Sequence, residues 1–374
     1  MKKTYRMAFI GGNVNSAIGI THKIASQMDG KFILVSGAFS RNDDVNQKTA
    51  EEYNIDKSHV YADYKELLIK EKNNVDVIVV LVSTDLHEEV VINCLNAGYN
   101  VICEKSLTTS YEAGKNIIET AKKNNSFLAV TYNYTGYPML RVLKRKIKEG
   151  CLGNIISINI EMPQEGYIRL KNDGSKPVVQ KWRLHDYKIP TISLDLGTHL
   201  HNMIAFFTDE TPLQITAEEN SYGFFKDIVD DVKCLIKYTN NLSVNMWYSK
   251  SALGSRNGLK IRLYGTSASA EWYQMEPEIL KIAKNDGTII NYDRSNDANI
   301  GLLNRYNRFK AGHPIGFIEA FANYYVDLYK VLSDFEQDKK FNSEYIISME
   351  KTLEGLKLFE GAHKASKYQN WVQL

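Results

Sequence analysis

Over the first 131 residues, short apolar runs alternate with stretches of helical period. The runs at 7–10, 32–39, 75–82, 100–103 and 127–131 predict five strands. The patterns at 17–28, 45–53, 86–97 and 111–124 predict helices between them. The run 75–82 is apolar and β-branched at nearly every position. A strand apolar on both faces belongs inside a parallel sheet covered by helices. Strand–helix alternation of this kind implies right-handed crossovers and an α/β, doubly wound Rossmann sheet.

After about residue 150 the rhythm changes. Segments 154–162, 215–222, 232–238, 242–249, 259–264, 268–273 and 279–282 read as strands, several joined by short turns such as Thr239-Asn240-Asn241. Successive strands with few helices between them predict an α+β domain on an open, mostly antiparallel sheet. Basic residues over 141–148, around Leu140, Leu143 and Ile147, predict an amphipathic helix with a solvated face. Segment 164–180 reads as a long loop of the sort that serves as a lid, and 285–312 as a second irregular stretch. Two helices close the chain near 315–333 and 343–366. The expected division is a dinucleotide-binding domain over 1–131 and a substrate-binding and oligomerisation domain over 132–374, with the last helix free to pack back on the first. An open sheet with one uncovered apolar face would be covered by pairing, so a homodimer or homotetramer is expected.

Composition narrows the classes. At about 150 residues per domain, 374 residues fit two domains. A hydrophobic fraction of 44% and a charged fraction of 24% are those of a globular chain. The net charge of +2 argues against a dedicated nucleic-acid binder. No apolar run approaches the length of about 20 residues that spans a bilayer. Met1-Lys2-Lys3-Thr4-Tyr5-Arg6 precedes only four apolar residues, too few for a signal peptide, so a cytoplasmic protein is expected. Cys94, Cys103, Cys151 and Cys234 lack C-x-x-C spacing and read as thiols in a reducing compartment; neither a disulfide nor a metal site is expected.

The candidate chemistry begins where the first strand meets the first helix. Gly11-Gly12-Asn13-Val14-Asn15-Ser16-Ala17-Ile18-Gly19 supplies Gly11-x-Asn13-x-x-Ser16 in place of G-x-G-x-x-G. A dinucleotide site needs a tight turn here, a backbone open to the pyrophosphate and a helix N-terminus behind it. Asn tolerates positive φ, and Ser is small enough for close helix packing. Glu104 and Lys105 follow a predicted parallel strand, where ligands of such sheets bind; a strand-end salt bridge is the competing reading. Asp195 and His199, four apart, share a helical face, which suits a carboxylate that orients a general base. His201 lies on another face and reads as structural. Tyr132 and Tyr134, and Trp182-Arg183, either line a sugar-sized pocket or pack structurally. The second strand ends at Ser40-Arg41 with no acid at its tip. This favours binding of both NAD and NADP unless Asp43 or Asp44 folds back to repel a 2′-phosphate.

Taken together, these segments resemble the Gfo/Idh/MocA family of NAD(P)-dependent oxidoreductases. The strongest elements are Cys103-Glu104-Lys105-Ser106-Leu107-Thr108, similar to the family's E-K-P segment, and Asp195-x-x-x-His199, similar to its D-x-x-x-H. A subgroup is marked by the glycine turn, by Asn133-Tyr134-Thr135-Gly136-Tyr137-Pro138-Met139, and by Gly312-His313-Pro314 before Glu319-Ala320-Phe321-Ala322-Asn323. The resemblance implies Lys105, Asp195 and His199 as the catalytic trio. It also implies cofactor contacts from Gly11, Gly12, Asn13, Asn15, Ser16, Ile18, Ser40, Arg41, Val82, Ser83, Thr84, His87, Glu104, Lys105 and Asn133. Substrate contacts would come from Lys105, Tyr132, Tyr134, Trp182, Arg183, Asp195 and His199. The implied activity is hydride transfer between NAD(P) and a hydroxyl-bearing carbon of a sugar, cyclitol or related polyol. Two alternatives share the fold: an NAD-dependent glycosidase working by transient oxidation, and a non-catalytic sensor. Three departures stand out: Ser106 in the place of Pro, Asn13 and Asn15 in the place of glycines, and Val82-Ser83-Thr84 in the place of T-P-N.

Overall fold

A computed structural model describes residues 3–296, 300 and 303–374. Met1 and Lys2, and positions 297–299, 301 and 302 of the stretch predicted to be irregular, lie outside the described residues. The chain divides into two units, one of residues 1–136 with 317–353, the other of 137–316 with 354–374.

In the first unit, five parallel strands run β1 (Tyr5–Gly11), β2 (Phe32–Ala38), β3 (Val77–Leu81), β4 (Asn100–Cys103) and β5 (Leu128–Val130). Their order across the sheet is β2-β1-β3-β4-β5. The order reverses between β1 and β3, where Gly11 pairs with Leu81, and such a switch point opens a crevice at the strands' carboxyl ends. Every residue of β3 is buried, as its apolar run requires. The connecting helices are α1 (Ala17–Gln27), α2 (Asp43–Tyr53), α3 (Tyr64–Lys70), α4 (His87–Asn96) and α5 (Tyr111–Lys123). The short α3 has no counterpart in the sequence reading.

The first unit is completed from far along the chain. The helix Phe317–Asp338 packs so closely that a side chain on Gly136 would overlap the Ala320 carbonyl. Asn323 donates to Gly136 O at 2.9 Å, and the Tyr324 hydroxyl to Val130 O at 2.7 Å.

The second unit holds a nine-stranded sheet of β6 (Ile155–Pro163), β7 (Pro212–Asn220), β8 (Asp231–Tyr238), β9 (Ser243–Ser249), β10 (Lys260–Gly265), β11 (Ala268–Tyr273), β12 (Leu280–Lys284), β13 (Ile289–Tyr292) and β14 (Val372–Gln373). Their order is β13-β12-β11-β10-β6-β9-β8-β7-β14, antiparallel throughout except for the parallel pair β6–β9. Helices α6 (Pro138–Lys148) and α7 (Thr198–Phe207) pack on it; the chain's long closing helices are α8 (Phe317–Asp338) and α9 (Met349–Tyr368).

Two expectations are corrected here. The basic face of α6 is not wholly solvated: Arg141 is buried and donates to the Tyr306 hydroxyl at 2.7 Å, satisfying the charge inside. Nor is the sheet's outer face an apolar surface. Strands such as β8 alternate strictly, with Val232, Cys234 and Ile236 buried and Lys233 and Lys237 exposed. The outer side carries Asn159 bonded to Asn245, Arg262 and Glu271 among isolated apolar residues such as Leu235. Among the described residues, no helix is long and apolar enough to cross a membrane.

Candidate functional site

The first unit contributes a cradle at the switch point. Gly11 and Gly12 both have positive φ, at 85° and 71°. A Cβ on Gly11 would lie 2.7 Å from Leu81 O, and one on Gly12 would lie 2.5 Å from Leu81 Cδ1. The left-handed residues of the turn are therefore these glycines and not Asn13. The close helix–strand contact falls to Gly19, where a side chain would overlap Gly12 O, and not to Ser16. Ser16 caps α1 instead, accepting from Gly19 N at 3.2 Å. Asn13 Oδ1 accepts from Asn15 N at 3.0 Å, and its amide reaches Phe39 O at 3.4 Å, tying the turn to the end of β2. Ile18 lies half-buried and Asn15 exposed in the same turn.

At the tip of β2, Asn46 Oδ1 accepts from the amides of Phe39 (3.0 Å) and Ser40 (3.3 Å). Ser40 Oγ accepts from Asn42 N at 3.1 Å, and Arg41 is exposed. Asp43 and Asp44 form the first turn of α2, where acids suit the helix dipole. Beyond β3, Ser83 and Thr84 lead into α4. His87 is buried, its ring nitrogens facing Ser106 O (2.7 Å) and Val82 O (3.0 Å). It joins the ends of β3 and β4, and burial pushes its pKa down.

Glu104 is pinned by its amide to Val80 O at 3.0 Å. Its carboxylate turns inward and accepts from the Thr131 hydroxyl at 2.7 Å. Lys105 follows, half-buried, with a cis peptide to Ser106. Asn133 is buried in a tight turn, Asn133–Gly136. Tyr132 and Tyr134 are buried as well, Tyr134 edge-on to Phe317.

The second unit contributes an acid held by two cations. Ser193–Gly197 forms a wide π turn leading into α7, a feature frequent at functional sites. Gly197 permits it, since a Cβ there would lie 2.7 Å from the Phe359 ring. Asp195 and His199 both sit in this buried segment. The Asp195 carboxylate is bridged by Lys250 Nζ at 2.7 Å and by Arg183. Arg183 lies over the Trp182 ring at 4.4 Å, and Gln180 accepts from both side chains. The loop after β6 is fastened by Gln164 N to Ser249 O (2.7 Å) and Tyr167 N to Lys250 O (2.8 Å). Its Tyr167 ring lies 5.5 Å from Lys250 Nζ. His201 faces Glu354 at 3.8 Å, away from this cluster's chemistry.

Lys250 was missed from sequence. Its signal was the one that marks Lys105: a charged side chain directly after a buried strand, here β9.

Residues 5–132 match the oxidoreductase family with an NAD-binding Rossmann fold, and residues 140–271 match the Gfo/Idh/MocA C-terminal domain. The chain belongs to the Gfo/Idh/MocA family. It is an oxidoreductase of the NAD(P)-dependent kind. Among Gfo/Idh/MocA relatives, the uncharacterized oxidoreductase YfiI of Bacillus subtilis (strain 168) is 26% identical across 100% of this chain and 98% of that protein. The levoglucosan dehydrogenase of Pseudarthrobacter phenanthrenivorans is 24% identical over 56% of this chain and 58% of that protein. An inositol dehydrogenase homolog from Azotobacter vinelandii, solved with NAD+, shares the fold with a TM-score of 0.89 at 24% identity, covering 100% of this chain and 98% of that one.

The cradle fits the family's cofactor. Its two left-handed glycines bring the turn's backbone tight against Leu81, where any side chain would clash. Asn133 Nδ2 and Ser106 Oγ are buried with no hydrogen-bond partner among the described residues, donors that a bound polar group would satisfy.

Proposed function

We propose that the protein oxidises or reduces a hydroxyl-bearing carbon of a sugar, cyclitol or related polyol, with Lys105, Asp195 and His199 handling the proton. The observation that carries this reading is the strand-end Glu104-Lys105 pair together with an Asp195–His199 helix whose carboxylate is held by Arg183 and Lys250. Similarity to a levoglucosan dehydrogenase and to an inositol dehydrogenase homolog supports the polyol class.

Gly11, Gly12 and the Ser16-capped start of α1 would hold the pyrophosphate, and Asn133 would bond the cofactor's polar edge. Bound NAD(P) supplies the hydride acceptor or donor. His199 takes the hydroxyl proton during oxidation and returns it during reduction. Asp195 orients the imidazole and stabilises its cation. Lys105 donates a hydrogen bond to the substrate oxygen, stabilising developing alkoxide charge. Lys250 and Arg183 keep Asp195 fixed as a carboxylate.

The test is a screen of sugars, inositols and sugar acids with NAD and NADP, following absorbance of the reduced nicotinamide. Turnover on at least one polyol is expected. Failure of every polyol with both cofactors, in a protein that binds NADH, would overturn the reading. Release of an aglycone with no net reduction of cofactor would point to the glycosidase alternative.

A further inference from the structure

Behind Glu104 runs a row of buried polar side chains that the proposed chemistry leaves unused. His22, on α1, is fully buried, and its Nε2 lies 3.2 Å from Glu104 Oε1. Its Nδ1 lies 2.5 Å from the hydroxyl of Tyr325, on α8. Phe321 closes the ring from the side, edge-on at 4.6 Å. The row leads from α8 through α1 to the end of β4, beside Lys105. Tyr325 lies two residues beyond the Glu319–Asn323 motif, which no role in binding or chemistry had explained.

The direction of each bond follows from the donors available. Burial pushes the Tyr325 phenol well above its ordinary range, so its oxygen keeps the hydrogen. That hydroxyl donates to Nδ1 of a neutral ring, or accepts from it in the cation. In both cases Nε2 carries a hydrogen and donates to Glu104. Burial alone would raise the Glu104 carboxyl. The hydrogen bond and charge of His22, the Lys105 ammonium and the Thr131 hydroxyl outweigh it and hold the carboxyl below its ordinary range. Other titratable groups around Glu104 are Cys103, His87, Tyr132 and Tyr325. Burial holds their uncharged forms, so none competes for the carboxylate.

We propose that Tyr325 and His22 are positioning residues that hold Glu104 as an oriented carboxylate beside Lys105. Helix α8 is then a working part of the cofactor-binding unit. Only the kinetic consequence rests on the reading of Lys105 as a proton-handling residue.

The test follows the Glu104 carboxyl by 13C NMR in the full chain, assigned with Glu104→Gln. It compares wild type with His22→Leu, His22→Gln and Tyr325→Phe. Wild-type Glu104 should titrate below the ordinary value of about 4.3. His22→Leu should raise its proton affinity about tenfold, the loss of one charge-assisted donor. His22→Gln, whose amide N–H reaches the position of Nε2, should recover most of the change. An unmoved Glu104 titration in His22→Leu would overturn the proposal. If that variant does not fold, the near-isosteric Tyr325→Phe decides: without the phenol, Nδ1 loses its hydrogen-bond partner while Nε2 keeps its hydrogen on Glu104, and the Nδ1 resonance in the imidazole 15N spectrum should shift. An unchanged spectrum sinks the relay. In the kinetic arm, kcat for carbonyl reduction should fall toward acid pH in Tyr325→Phe while wild type holds. Parallel profiles would mark the row as purely structural and overturn it. Absence of turnover on every polyol would count against the proposed function and leave the two spectra to judge the relay.

Discussion

Two lysines end buried strands in this chain, and each is expected to serve chemistry in its own way. Lys105 follows β4 beside an ionised Glu104; Lys250 follows β9 and meets Asp195 at 2.7 Å. Lys105→Ala and His199→Ala should each lower kcat by roughly 10²–10⁴-fold, the usual worth of a general acid–base group. Steady-state kinetics on the polyol found by screening checks this, and near-normal turnover in either variant removes that residue from the mechanism. His199→Ala should leave the dissociation constant of NADH nearly unchanged. Lys250→Met should lower kcat about tenfold, because Asp195 loses one of the two cations that bridge it; a charged hydrogen bond is worth about 1.5–3 kcal/mol. Arg41 carries a different prediction. It is exposed at the β2 tip, with Asp43 and Asp44 engaged in the first turn of α2. Arg41→Ala should weaken NADP about fivefold and NAD hardly at all, a modest effect because the guanidinium is solvated. Fluorescence titration of both dinucleotides measures it, and equal losses would show that Arg41 does not read the 2′-phosphate.

Helix α1 lies against β1 because Gly19 has no side chain to strike Gly12 O. Gly19→Ala should cost about 1–3 kcal/mol through overpacking and weaken NADH binding with it. Thermal melts with and without NADH read both effects. A second element-level device is Glu71, at the end of α3, which accepts from Tyr61 (2.6 Å), His59 (2.7 Å) and Asn74 (2.6 Å). Burial would raise its carboxyl, but these three bonds outweigh burial and hold it below the ordinary range. A depressed carboxyl stabilises the fold above its unfolded value, about 4.3, and the contribution is lost as pH falls through the depressed value. Glu71→Gln should therefore be less stable at neutral pH and lose less between about pH 5 and pH 3. Chemical denaturation across that range would show parallel curves if Glu71 were not coupled in this way. The elements that sequence made legible are those with a strong period: β3, apolar at every position, and β8, alternating from Val232 to Tyr238. Missed were α3, seven residues with little apolar face, and β13 and β14, at the two edges of the second sheet, where exposure erases alternation. The glycine turn was legible in place but not in detail. Spacing cannot tell that Gly12 and Gly19 do the work assigned to Asn13 and Ser16. The ion pairs of Asp195 were illegible for a plainer reason: Arg183 and Lys250 are 12 and 55 residues away from it.

The first unit is discontinuous, and this governs how the chain can be cut. Residues 1–136 supply all five strands of the parallel sheet, yet the unit also takes 317–353. Without α8, the Gly136 carbonyl loses Asn323, the Val130 carbonyl loses Tyr324, and His22 loses both Tyr325 and the Phe321 ring. Each loss removes a native hydrogen bond, at about 0.5–1.5 kcal/mol apiece. Three such losses together are a sizeable share of the stability of about 5–15 kcal/mol typical of a whole domain. Exposure of Phe9, Phe32 and Phe127, which α8 residues flank among themselves or through His22, adds an apolar surface that invites aggregation. A fragment of residues 1–136 should therefore show no cooperative melt and no NADH binding. The same fragment joined to 317–353 by a short flexible linker should melt cooperatively, with a midpoint raised by NADH as linkage requires. The linker can be short because Gly136 lies against Ala320. Circular dichroism and NADH fluorescence on the two pieces make the comparison. If 1–136 alone melts cooperatively and binds NADH as tightly as the joined form, the sheet and its five short helices are self-sufficient, and α8 is an addition to a unit already complete.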